Sequence, residues 1–191
     1  MPKIGMEHIR KRSLIEAAIS AIHARGSLDI TMSDIATRAG VSQGLAHHYF
    51  GSKGQLIVSA MRHLLAEFGA SVREELRSAR SERARVSAVI NASLASDQFQ
   101  PECVSAWLVF YVHAQSSPEA RRLYTVYASR LHSNLAHALR PIARERANEI
   151  AEGVSALIDG LYIRAALGPD SLAHMEPRQL VESYVDCVTG S

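Results

Sequence analysis

Thr31-Met32-Ser33-Asp34-Ile35-Ala36-Thr37-Arg38-Ala39-Gly40-Val41-Ser42-Gln43-Gly44-Leu45-Ala46-His47-His48-Tyr49-Phe50-Gly51-Ser52-Lys53 is the stretch that decides the fold. Thr31 can cap a short helix, with Asp34 at the acidic third position of a capping box. Ile35, Ala36 and Ala39 then face inward, and Gly40 supplies the tight turn a helix-turn-helix needs. Ser42 caps a second short helix that ends near Tyr49, and Ser52 caps a third. That second helix is rich in side chains able to touch DNA. The pattern predicts a DNA-binding protein.

Outward from this motif the chain reads as helix after helix, with no convincing period-two strand. A first helix runs from about residue 6 or 9 to 24, its stripe formed by Leu14, Ile15, Ala18, Ile19 and Ile22. Two short helices follow near 31–38 and 42–49. A long fourth helix, about 53–78, carries Leu56, Ala60, Leu64, Phe68, Val72 and Leu76 on one side. Further helices fit 82–95, 101–116, 118–140, 143–167 and 176–188, with Pro101, Pro118, Pro141, Pro169 and Pro177 at or near their boundaries. The expected class is all-α with about nine helices. Residues 1–55 would form a helix-turn-helix DNA-binding domain, and 56–191 a helical ligand-sensing and dimerisation domain.

At 191 residues the chain can bury a substantial core. No stretch approaches the roughly 20 apolar residues of a membrane span, and no signal-peptide pattern opens it. Cys103 and Cys187 are too few and too far apart for a disulfide framework or a zinc site. Reduced thiols, a cytoplasmic location, no metal and no cofactor are expected. The formal net charge of +2 conceals an asymmetry. Residues 1–65 hold eight Lys/Arg against four Asp/Glu, whereas the remainder holds 13 against 15. The positive end coincides with the motif, as phosphate attraction requires. Nine histidines raise the question of catalysis, but no His-Glu-x-x-His, glycine-rich phosphate loop or Gly-x-Ser-x-Gly elbow occurs. No catalytic residue is assigned.

The second helix of the motif should enter the major groove with its N-terminal residues nearest the bases. Gln43 can read adenine bidentately, and Leu45 or Ala46 can meet a thymine methyl. His47 and His48 face bases or phosphates, and Gly44 lets the backbone approach closely. Thr31 and Arg38 are phosphate candidates. Lys3, Arg10, Lys11 and Arg12 form a basic arm beside the groove.

Over residues 9–56, a first helix followed by T-x-x-x-I-A-x-x-A-G-V-S-x-G-x-x-x-x-Y-F-x-x-K resembles the N-terminal domain of the TetR-family transcriptional regulators. The resemblance implies a dimer on a palindromic double-stranded operator, released when a small molecule enters the second domain. Tyr49 and Lys53 match the family's phosphate-contacting positions. They complete the DNA-facing set of Thr31, Arg38, Ser42, Gln43, Gly44, Leu45, His47, His48, Tyr49 and Lys53. The opening Met1–Met6, Ala106-Trp107-Leu108, Ser129-Arg130-Leu131 and the run from Ala156 to Leu167 resemble one branch of the family. Its members are choline-responsive repressors of glycine betaine synthesis.

The helix near 143–167 has two apolar stripes and so needs two partners. Ile150, Val154, Leu157, Ile158, Leu161 and Ala165 form one; Ala156, Asp159, Tyr162, Ile163 and Ala166 form the other. The first, with Leu180, Tyr184, Val185 and Val188, suits a two-fold four-helix interface in a homodimer. The expected dimer residues are Val154, Leu157, Ile158, Leu161, Leu180, Tyr184 and Val188. Cys103, Val104, Trp107, Phe110, Tyr111 and Ala114 share a stripe that by itself reads as core. The family branch changes that, because a quaternary ammonium is held by aromatic faces and balanced by a carboxylate. Trp107, Phe110, Tyr111, Tyr124, Tyr127, Asp159 and Tyr162 are then the ligand candidates. Asp159 alternatively pairs with Arg130 or Arg164. Other open readings are a regulator sensing a hydrophobic drug, an acyl thioester or a nucleobase, a constitutive DNA binder, and a small-molecule enzyme.

Overall fold

Thr31 and Asp34 close the capping box that their spacing predicts. The Thr31 amide donates to Asp34 Oδ2 at 2.8 Å, and the Asp34 amide donates to Thr31 Oγ1 at 3.0 Å. These two bonds hold the Asp34 carboxyl below its ordinary value. The helix so started, α2, spans Met32–Arg38 and follows α1, Met6–Arg25. Gly40 makes the turn at φ +67°, where a side chain would be strained. Ser42 Oγ accepts the Leu45 amide at 3.2 Å and starts α3, Gln43–Phe50. The helix-turn-helix is in place as expected.

The computed structural model describes residues 6–168 and 176–190. Met1–Gly5, including Lys3 of the expected basic arm, and Pro169 lie outside the described residues. The rest is α4 (Lys53–Ser78), α5 (Glu82–Ser93), α6 (Pro101–Ser116), α7 (Pro118–Ala143), α8 (Ala147–Leu167) and α9 (Pro177–Thr189). The nine α-helices among the described residues agree with the all-α expectation, and no strand is found among them. None of these helices is long and apolar enough to cross a membrane.

One boundary differs. Pro141 lies inside α7, which runs on to Ala143. Arg144 then takes a left-handed φ of +48°, and a 3₁₀ turn at Arg144–Arg146 delays α8 to Ala147. A proline near a helix's C-terminal end disrupts its last turns without preventing them, so it marks the boundary loosely.

Two compact units divide the chain. The first joins the described residues up to Leu64 with Pro101–Arg121. Its core takes Leu14, Ala18 and Ile22 from α1, Ile35 and Ala36 from α2, Ala46 from α3 and Leu56 and Ala60 from α4. Val109 of α6 belongs to the same core. Burying side chains the size of Leu14, Ile35 and Leu56 stabilises by about 1.5–3 kcal/mol each. Helix α6 packs along α1, where His23 Nδ1 and Ser105 Oγ share a hydrogen bond of 2.9 Å. The exposed ion pair Arg62–Glu119, at 2.6 Å, lies in this unit too.

The second unit joins Leu65–Gln100 with the described residues from Arg122 onward. In it α9 packs against both α5 and α8. The α9–α8 contact is tight at Gly153, where an added Cβ would stand 2.6 Å from Tyr184 Oη. Val181 and Val185 of α9 and Ile150, Val154 and Ile158 of α8 are fully buried. Arg83 of α5 clamps α9 from the other side. Its guanidinium donates to Glu182 at 2.5 Å, to Asp186 at 2.6 and 3.0 Å, and to Ser87 Oγ at 2.7 Å. Partial burial works against its charge, but the bonds to Asp186 and Glu182 prevail and raise its pKa.

Candidate functional site

The caps that start α2 and α3 also decide what those helices display. On α3, Ala46 is fully buried, while Tyr49 and Phe50 pack part-buried against the core. The opposite face is left exposed: Gln43, Gly44, His47 and His48. Leu45 stands half-buried between the two faces. This corrects one expectation, because a fully buried Ala46 has no surface to offer a thymine methyl. Leu45 keeps exposed surface on that side of the helix. Thr31, Arg38 and Ser42 are exposed as expected, and Arg38 Nη1 donates to Ser20 Oγ of α1 at 3.0 Å.

His47 Nδ1 lies 2.9 Å from the carbonyl oxygen of Gly51, the residue that ends α3. Lys11 Nζ lies 5.7 Å above the Tyr49 ring and 2.7 Å from Glu7. Tyr49 is thus held against α1 by a cation–π contact, a role that follows from its half-buried position. Lys53 Nζ donates to the Leu28 carbonyl at 3.1 Å and anchors the loop before α2. One of its three donors is used in this way, leaving two.

Lys53→Ala should therefore act twice. Operator and nonspecific affinity should fall together, with the salt slope reduced by about one if a phosphate contact is lost. The missing bond to Leu28 should cost roughly 1 kcal/mol of stability. Titrations across a salt series check the first effect and thermal melts the second. An unchanged slope with a lowered melting temperature would leave Lys53 only as a loop anchor.

The sensor candidates fall into two sets. Trp107, Phe110 and Tyr111 belong to α6 in the first unit. Trp107 and Phe110 are buried, Tyr111 half-buried, and the Trp107 ring lies 5.6 and 6.0 Å from the other two. Tyr124, Tyr127, Asp159 and Tyr162 belong to the second unit. There Tyr127 donates to Asp159 Oδ1 at 3.4 Å, and its ring lies 6.3 Å from Tyr124. Phe68 of α4 meets the Tyr127 ring edge-on at 5.6 Å. Burial first, then the negative charges of Asp159 and Glu152, push the Tyr124 hydroxyl above its ordinary value.

Tyr162 is occupied differently. Its hydroxyl donates to the Ser93 carbonyl at 2.8 Å, and its ring lies 4.9 Å from Phe99. That hydroxyl secures the end of α5. Phe68 was expected only as a core residue, because the helical period of α4 says nothing about a neighbouring tyrosine.

The stripes of α8 are turned relative to expectation. Val154, Ile158 and Leu161 were expected on a dimer face, yet they are 0, 0 and 3 % exposed within this single chain. A buried side chain has no surface left for a partner, so these three leave the set. Ala156 and Ile163 of the other apolar stripe are exposed, as is Leu167 at 73 %. Leu157, Leu180, Tyr184 and Val188 remain half-buried and available.

Comparison with known proteins bears on this arrangement. Residues 14–60 match the model of the bacterial regulatory proteins of the tetR family. Residues 82–189 match the model of the BetI-type transcriptional repressor C-terminal domain. A relative from Brucella anthropi, called HTH-type transcriptional regulator BetI, is 53% identical over 186 residues, covering 97% of this chain and 96% of its own. Among solved structures, a transcriptional regulator from Pseudomonas aeruginosa PAO1 superposes with a TM-score of 0.84 at 28% identity, covering 99% of this chain and 94% of its own. A transcriptional regulator from Saccharomonospora viridis, solved in complex with choline, gives a TM-score of 0.82 at 26% identity, covering 92% and 95%.

Proposed function

Because the chain belongs to the TetR family of bacterial regulatory proteins and carries a BetI-type repressor C-terminal domain, we propose that choline is its inducer and that glycine betaine synthesis is what it controls. It is a DNA-binding transcriptional repressor and not an enzyme. In this proposal it acts in the cytoplasm as a homodimer on a palindromic operator. Residues 1–55 bind DNA, and residues 56–191 sense the inducer and dimerise. Two α3 helices would enter major-groove half-sites roughly 34 Å apart.

The observation that carries the choline assignment is Asp159 beside Tyr127, with Tyr124 and Phe68 flanking. A trimethylammonium group has no N–H to donate. It needs ring faces and a fixed negative charge, which these residues combine. The choline complex of the Saccharomonospora viridis regulator supports the same ligand class. Trp107, Phe110 and Tyr111 would act through α6, because that helix also places Val109 in the core that holds α1, α2 and α3. Any displacement of α6 would thereby be felt by the helix-turn-helix.

For the dimer face we propose Leu157, Leu180, Tyr184 and Val188, joined by the exposed Ala156 and Ile163. Ala156 has only a methyl group and Gly160 no side chain, which would let a partner helix approach closely.

Gel-shift titration on the chain's own upstream region, with and without choline, tests the proposal. Choline should release the complex at concentrations that calorimetry shows to saturate the protein. A complex that ignores choline but dissociates with an apolar drug, an acyl thioester or a nucleobase would replace choline as the inducer.

A further inference from the structure

The hydrogen bond between His47 and Gly51 fixes more than the position of a ring. A carbonyl oxygen only accepts, so the His47 nitrogen facing it, Nδ1, carries the hydrogen. The opposite tautomer would set a nitrogen lone pair against the Gly51 oxygen at 2.9 Å. In neutral imidazole the second nitrogen, Nε2, is then an acceptor. Gly51 ends α3 at a positive φ and its amide is spent on the His47 carbonyl. The same helix end thus closes its backbone on His47 and orients its ring.

Few groups on the exposed face of α3 compete for that function. Gln43 lies one turn before His47 and offers both a donor and an acceptor; Gly44 has no side chain, and the exposed His48 ring lies 5.5 Å from the Tyr49 ring. A rise of about 6 Å separates Gln43 from His47 along the helix axis. That reaches one or two base-pair steps farther at 3.4 Å each. Major-groove edges that donate are the adenine N6 and cytosine N4 amines.

We infer that His47 is a specificity-determining residue that accepts, through Nε2, a hydrogen bond from an exocyclic base amine near the pair read by Gln43. This rests on α3 being the helix that enters the major groove, as the repressor assignment requires. It makes His47 a reader of sequence and leaves phosphate anchoring to other residues. It also explains why an imidazole stands where a lysine or arginine would only donate.

The test uses the full-length chain, wild type and His47→Ala, on operator duplexes in which single adenines are replaced by purine and single cytosines by 2-pyrimidinone. Each replacement deletes one exocyclic amine. At one position per half-site, beside the pair read by Gln43, wild-type affinity should fall about tenfold. His47→Ala should already be weakened on unmodified operator and should lose nothing further at that position, while keeping the wild-type response at all others. A uniform loss by His47→Ala at every position, as for a phosphate contact, would overturn the inference. So would an unchanged response to amine deletion at every position. His47→Phe, which keeps a planar ring without an acceptor, should behave as His47→Ala; wild-type discrimination by this variant would equally overturn it. A wild-type chain that bound no operator would overturn the repressor assignment as well, which separates the two failures.

Discussion

Asp159→Asn should abolish release of the operator complex by choline while leaving operator affinity unchanged in its absence. A unit charge about 5 Å from an ammonium contributes on the order of 3 kcal/mol at an effective dielectric near 20, roughly a hundredfold in affinity. Asparagine keeps the shape and can still accept from Tyr127, so the lost quantity is charge. Calorimetry with choline reads the effect directly. An independent readout comes from Tyr124, whose hydroxyl is held above its ordinary value by burial and then by the charges of Asp159 and Glu152. Removing the Asp159 charge makes the phenolate less costly, so the Tyr124 pKa should fall toward the ordinary value of about 10. Spectrophotometric titration at alkaline pH would follow it. Wild-type choline affinity in Asp159→Asn, with the Tyr124 shift present, would exclude Asp159 as the ligand's counter-charge. A fall in stability together with altered operator binding would instead identify it as the structural partner of an arginine.

The second large effect concerns stability. Arg83→Ala removes one guanidinium that satisfies Glu182 and Asp186, two carboxylates four residues apart on α9. Hydrogen bonds to charged groups contribute about 1.5–3 kcal/mol, and this side chain is only 28% exposed. The two acids, left facing each other, would also repel along the helix. A loss of roughly 2–3 kcal/mol is expected, which for a chain of this size lowers the melting temperature by about 5–10 °C. Since α9 also carries Leu180, Tyr184 and Val188, dimer dissociation at low protein concentration should shift with it. Arg83→Lys should recover part of the loss, because an ammonium lacks the planar fork that holds two acids at once. A melting temperature within a degree of wild type for Arg83→Ala would show that the clamp contributes no net stability.

The candidate site was legible to unequal depths. Thr31, Asp34, Gly40 and Ser42 declared the helix-turn-helix because capping and tight turns are chemistry within three or four residues. The polar face of α3 followed from the same spacing. Ala46 was misplaced, since an alanine fits either face of a short helix and its side chain gives no vote. Lys53 was read from the sequence only as a phosphate contact, while its bond to Leu28 joins residues 25 apart and leaves no trace in local pattern. Tyr162 was named for its aromatic ring, while its hydroxyl bond to Ser93 spans 69 residues.

By itself the sequence determined the all-α class, the helix positions, the caps that start α2 and α3, and the family. All of these are written in short-range periodicity and in the hydrogen-bonding needs of helix ends. Only the tertiary structure decided which stripe of α8 turns inward, that α6 seats on α1, and that Arg83 clamps α9. Apolar periodicity shows that a helix face must be covered but not what covers it. Val154 and Ala156 each lie on an apolar stripe of the same helix, and packing buries the first and exposes the second.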